Sequence, residues 1–131
     1  MNPLLQRLPF EQDFELDAAN NVVNRRPQPG EQPLYTTADH REKTYAVIGL
    51  FPGLRPEWDI MVLTAHSEPG ILAAVGQVTC AESARALVQR MGLGRPGAAR
   101  HYQVLLQVAA DRGEPAKTEY VAHHSIGAHL R

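Results

Sequence analysis

Few residues in this 131-residue chain have types and spacing suited to chemistry, and the best group surrounds one turn. Thr64-Ala65-His66-Ser67-Glu68-Pro69-Gly70 follows a strand-length apolar run and precedes a helical pattern. A helix start presents free backbone N–H groups, where anions bind. His66 and Ser67 would add polar contacts, and His66, Ser67 and Gly70 are the candidate ligand-binding residues. The plain alternative is that Ser67 only caps the helix while Glu68 supplies the negative charge this end attracts. The turn carries no GxGxxG or GxxxxGK[ST] pattern, so nucleotide binding is not supported.

Other chemistry-bearing residues are weaker signals. Cys80 falls in the first turn of a second helical pattern, where the dipole lowers a thiol pKa, and a Cys80–His66 dyad is conceivable. The bland reading of Cys80 is a small buried apolar residue. His123, His124 and His129 invite a metal proposal, but adjacent strand histidines point to opposite faces and no Cys or Asp stands near them in sequence. Glu57, Asp59, Glu114 and Glu119 form no readable acid–base pair. No catalytic residue, metal or cofactor is therefore expected. Arg25-Arg26 beside a proline arm could bind a partner, with a solvated loop as the default reading. Trp58 is either an exposed aromatic anchor or, by the commoner reading, a residue packed over the sheet edge.

These residues must be positioned by the elements around them, and composition limits what those are. The chain is 44% apolar and 21% charged with a net charge of −1, which excludes a disordered or collagen-like chain. Its length fits one domain over 1–131. Near-neutral charge and the lack of a basic stripe with interleaved aromatics argue against nucleic acid. No apolar run approaches the ~20 residues that cross a bilayer, and the opening MNPLLQRLPFEQDFELD is no secretory signal. A lone Cys80 excludes an internal disulfide and suits a reducing cytoplasm.

Residues 1–44 read as an irregular N-terminal arm with short strands, and residues 45–126 as a sheet-and-helix core. Phe14 and Leu16, at period two among acids, predict a half-buried strand over 12–17. Asn20-Asn21 turns the chain, and Val22-Val23 lead to a second short strand, giving a hairpin. Three prolines between Arg25 and Pro33 make that stretch a surface loop, and His40-Arg41-Glu42-Lys43 a charged turn. Tyr45–Phe51 and Ile60–Ala65 are continuous apolar runs, as in interior strands covered on both faces. The linker between them is too short for a parallel crossover, so they are antiparallel neighbours or sit apart in the sheet. Ser67 then starts a helix with Ile71, Ala74, Val75 and Val78 inward. Thr79-Cys80-Ala81-Glu82 is a capping-box pattern that predicts a second helix from Thr79, with Ala84, Leu87, Val88 and Met91 inward and Gly92 as its stop. A Gly94–Gly97 loop leads back to a strand in which Tyr102, Val104, Leu106 and Val108 alternate with a wetter face of Gln103, Leu105 and Gln107. A turn at Asp111–Pro115 and alternation over Thr118–Ile126 complete a terminal hairpin.

The fold class expected is α/β, with α+β as its variant. It comprises a single mixed, largely antiparallel sheet, two consecutive helices between the central strands, and a C-terminal hairpin. Strands buried on both faces need cover on both. Two helices supply one side; the N-terminal arm, a short helix near residues 2–8 or a partner chain supplies the other. The last option motivates a homodimer.

Asn24-Arg25-Arg26-Pro27-Gln28-Pro29-Gly30-Glu31 with Tyr35, then Tyr45-Ala46-Val47-Ile48 and Pro52-Gly53-Leu54, resembles an uncharacterised bacterial protein family best represented in soil acidobacteria. That family has an N-R-x-P-x-P-G-E…Y arm before a D-Y-A-L-I…P-G-L strand. Gly70 with Ala73-Ala74, Tyr102–Leu106 with Val108, and Thr118–His123 match its later pieces, so the likeness spans roughly residues 20–125. His66 and Ile71 stand where the family pattern has Thr. Members usually extend upstream of an Asn-Pro pair, here Asn2-Pro3, so a fragment or a shortened member, lacking one strand, is an expectation. The resemblance implies no activity.

Two functions follow as expectations. The first is a non-enzymatic ligand-sensing or protein-interaction module in the cytoplasm, with itself, another protein or an unidentified small molecule as partner. The second is a small hydrolase or transferase using His66, Ser67 or Cys80 at the turn 64–71. A pocket with His66 in hydrogen-bond reach of Ser67 or Cys80 would favour the enzyme, and a cleft-free surface would favour the module. A third reading is the C-terminal remnant of a longer regulator.

Overall fold

The computed structural model describes residues 12–19, 21–36, 42–53, 55, 57–93 and 100–126. Among the described residues, two antiparallel sheets and two helices form three layers, with strands predominating. The N-terminal sheet holds β1 (Phe14–Leu16), β2 (Val22–Asn24) and β3 (Leu34–Tyr35) in that order. The main sheet is built from β4 (Lys43–Pro52), β5 (Asp59–Ala65), β6 (Tyr102–Asp111) and β7 (Glu114–Ser125), in the order β5-β4-β6-β7. Between β5 and β6 run α1 (Glu68–Thr79) and α2 (Ala81–Met91), whose axes differ by 86° across the break at Cys80. The short helix considered for residues 2–8, the Gly94–Gly97 loop, His40, Arg41 and His129 lie outside the described residues. No single helix among the described residues is long and apolar enough to cross a membrane.

Local chemistry explains the turns. The β6–β7 hairpin closes through Arg112 and Gly113, both at positive φ (53° and 81°), which matches the right-handed twist of the flanking strands. Gly92 ends α2 in the left-handed region (φ 70°), as its position predicts. The capping-box expectation fails by one residue. The Thr79 hydroxyl donates to the Val75 carbonyl one turn back at 2.7 Å, so Thr79 closes α1 and Cys80 caps α2. Cys80 is exposed, contrary to its reading as a buried apolar residue.

Both central runs pair antiparallel, Ala46 opposite Ala65 through Pro52 opposite Asp59. Of these two runs, β4 is the one buried on both faces, with β6 paired along its other edge. β5 is an edge strand, half-covered along its length with Met61 exposed, which corrects its expected place in the interior. Trp58 just before it is 56% exposed with the Arg55 guanidinium 4.8 Å from its ring centroid, so it does not pack over the sheet edge.

The helices cover one face of the main sheet. Ala46, Ile48, Val104, Leu106 and Val108 meet Ala73, Ala74, Leu87 and Met91 there. The buried stripe of α1 is Gly70, Ala73 and Ala74, with Val78 packed against the core, whereas Val75 is exposed and Ile71 half-buried. The expected stripe is thus rotated toward the small residues. A Cβ on Gly70 would lie 2.7 Å from the Ala65 Cβ, so this side chain must be absent for α1 to approach β5 so closely. In α2, Leu87 and Met91 point inward as expected, while Val88 is exposed.

The N-terminal sheet covers the opposite face, where Phe14, Val22 and Tyr35 pack on Tyr45, Val47, Leu105 and Ala122. The face of β6 expected to be wetter is therefore interior, and Gln103 is only 2% exposed. The chain itself supplies the second cover, the need that had motivated a partner copy.

Candidate functional site

β1 edges the N-terminal sheet and β5 edges the main sheet, and a cavity of about 400 Å³ opens where β1 faces the C-terminal end of β5. Phe14, Leu16, Leu63, Ala65 and Ile71 give it apolar walls. Gln12, Glu15, Asp17, Thr64 and His66 bring polar groups to it. Period two along β1 puts Glu15 and Asp17 on the same side of the strand. Glu15 is ion-paired with Arg25, which accounts for one of the two arginines proposed to meet a partner. Asp17 Oδ1 accepts from the backbone N–H groups of Ala19 and Asn21, both at 2.9 Å, and holds the β1–β2 turn. The Asn21 N–H is the main reason its carboxyl lies below the usual range, with the charge of His66 adding a little.

His66 lines this cavity, and its Nε2 is buried without a hydrogen-bond partner. Ser67 occupies the N-cap of α1, yet its hydroxyl makes no cap bond and is likewise buried and unpartnered. His66 and Ser67 are therefore not bonded to each other. Gly70 is buried against Ala65, Thr44 and Tyr45, a position that close packing explains. Cys80 lies at the far end of α1, twelve residues or about 18 Å along the axis, so the Cys80–His66 dyad does not form. The Cys80 thiol is still held below its ordinary value, chiefly by the Ser83 backbone N–H, with the Ser83 side chain contributing.

A second polar group lies between the two sheets. His124 is 1% exposed; its Nδ1 stands 2.7 Å from Asp13 Oδ2 and its Nε2 2.7 Å from Glu31 Oε1. Asn24 Nδ2 donates to Glu31 at 2.8 Å, and Arg26 Nη1 lies 3.7 Å from Asp13 Oδ1. The Phe14 ring packs on the imidazole, centroids 4.5 Å apart. Beside it, Gln103 Oε1 accepts from the backbone N–H of Asp13 at 2.7 Å and of Phe14 at 3.0 Å, and Gln103 Nε2 donates to the Phe14 carbonyl at 3.1 Å. Burial opposes charge on His124, but the bonds to Asp13 and Glu31 outweigh it and raise its pKa above the ordinary value. Burial also opposes charge on Glu31, and the bonds from Asn24 and His124 outweigh it and lower its pKa.

His123 points to the opposite side of β7 and contacts the Tyr120 hydroxyl, so the two histidines do not converge on one ion. With both ring nitrogens occupied, His124 has no lone pair to offer a substrate. The acids near His124 escaped the sequence reading because they are 111 and 93 residues away. The one available signal was Gln103 and His124 on strands that otherwise alternate apolar residues. Of the other carboxylates, Glu119 pairs with Lys117 and Asp59 with Arg100 and His101. No protein-family model matches the chain, and no match is found among curated proteins or solved structures.

Proposed function

We propose that this chain is a non-enzymatic ligand-binding module whose site is the cavity between β1 and the β5–α1 turn. The observation that carries this reading is the buried, unpartnered Nε2 of His66 beside that cavity. An unmade hydrogen bond of this kind costs about 1–3 kcal/mol, and a ligand that bonds Nε2 recovers it. A volume of about 400 Å³ suits a small organic molecule. Among the described residues the lining brings the carboxylates of Glu15 and Asp17 to the cavity, which favours a ligand with a positive charge and an apolar body over the anion first considered for this turn. An enzyme at the same turn would need a nucleophile bonded to its base, and the unpartnered Ser67 hydroxyl does not supply one. A free, exposed Cys80 is in keeping with a reducing cytoplasm.

The test is a thermal-shift scan against small amines, other metabolites, nucleotides, anions and divalent metals. A ligand at 100 times its Kd adds about 2.7 kcal/mol, enough to move the transition by several degrees. A shift produced by a cationic compound and lost in His66→Ala supports the reading. A flat scan of the folded protein turns it toward protein interaction.

A further inference from the structure

The Asp13–His124–Glu31 cluster joins three distant parts of the chain: the lead into β1, the proline arm, and the last strand of the main sheet. Ionised carboxylates only accept hydrogen bonds, so an imidazole bonded to one at each nitrogen must donate from both. It is then an imidazolium whose charge faces both Asp13 and Glu31, with Arg26 beside Asp13. Removing one proton turns a donor into a lone pair facing a carboxylate oxygen at 2.7 Å and leaves an unbalanced negative charge between the sheets.

We propose that this cluster is a proton-operated latch. The imidazolium of His124 clamps the N-terminal sheet onto the main sheet, and loss of its proton loosens that sheet together with the β1 wall of the ligand cavity. Asp13 lies between Gln12 and Phe14, which both line the cavity, so release of Asp13 frees that wall directly. The cavity's role as a binding site rests on the preceding proposal; the latch itself does not.

Among the described residues, the charged and polar groups around His124 bear on this behaviour. Asp13 and Arg26 face it from the β1 side, Glu31 from the arm with Asn24 behind it, and Gln103 opposite it on β6. On its own strand, His123 and Tyr120 lie on the far face, where burial first and then the His124 charge hold the His123 pKa down. A histidine with a raised pKa contributes stability that is complete below its ordinary value of 6.5 and is lost as pH rises through the raised value. Glu31, with a lowered pKa, contributes above its ordinary 4.5 and is lost as pH falls through the lowered value. The latch is therefore firm between the ordinary glutamate and histidine values of 4.5 and 6.5, and opens as pH rises through the raised His124 value.

The test needs no ligand. Nitrogen-15 NMR of the wild-type imidazoles reads the proton on each His124 nitrogen directly, and amide exchange, corrected for its intrinsic pH dependence, reads each sheet. The expected result is a doubly protonated His124 at pH 6 that titrates above 6.5, with β1–β2 amides losing protection over the same pH range while β4 and β6 keep theirs. Glu31→Gln and Asp13→Asn each move both transitions to lower pH. A singly protonated His124 at pH 6, a titration at or below 6.5, or β1–β2 protection that ignores the His124 titration overturns the latch. A flat ligand scan beside a working latch would instead remove only the binding proposal.

Discussion

On the helix side of the main sheet, Ile48, Val104, Leu106 and Val108 meet α1 and α2 through apolar contact alone, and Gly70, Ala73 and Ala74 let α1 lie close. On the other side, β6 and β7 present Gln103 and His124 to Asp13, Phe14 and Glu31, and the hydrogen bonds specify one placement of the N-terminal sheet. Apolar burial is non-directional and insensitive to pH. A buried polar network is stable only when every group is satisfied, and is vulnerable to one proton. A long apolar strand can thus be covered twice by different physics, and the polar cover is the one able to respond to its surroundings.

The largest expected effect belongs to the helix face. Leu106→Ala should lower stability by about 2–5 kcal/mol in chemical denaturation, by the same amount at pH 6 and pH 8. A pH-dependent difference would break the contrast between the faces. Gln103→Leu comes next: it removes the one acceptor shared by the buried N–H groups of Asp13 and Phe14, a lost polar partner at about 1–3 kcal/mol. Amide exchange should show that loss in β1 and β2 with β4 unchanged; a uniform loss would mean that the two faces form one cooperative unit. Gly70→Ala forces the new methyl against Ala65 and should destabilise by about 1–3 kcal/mol, with the exchange change confined to α1 and β5. The smallest effect belongs to neither face. Lys117→Ala removes an exposed ion pair with Glu119 and should leave the melting temperature unchanged within error, at low and high salt alike.

Much of the architecture was legible because it rests on local rules. Pro69 in the first turn of α1, Gly92 at the end of α2 and Gly113 in the last hairpin each announce a backbone geometry that few other residues adopt well. A linker too short for a parallel crossover left β4 and β5 as antiparallel neighbours or apart in the sheet, and the structure pairs them. Less of the site was legible. His66 stood out from its place between strand and helix, but Glu15, Asp17 and Gln12 join it only because β1 folds across from β5. The α1 stripe was misjudged because hydrophobicity ranks Val75 above Gly70, whereas close approach to Ala65 demands the smaller residue.

By itself, then, the chain's order of residues determined the elements and most of their turns, since helix caps, prolines and apolar runs act over a few neighbours. Which strand lies at an edge, which face of β6 is dry, and which acids meet His124 were decided by the tertiary structure alone. Those outcomes depend on contacts between residues far apart in the chain, such as Leu50 with Tyr102, Gln103 with Asp13 and His124 with Glu31, and no local spacing encodes which distant group will arrive to pair with or satisfy another.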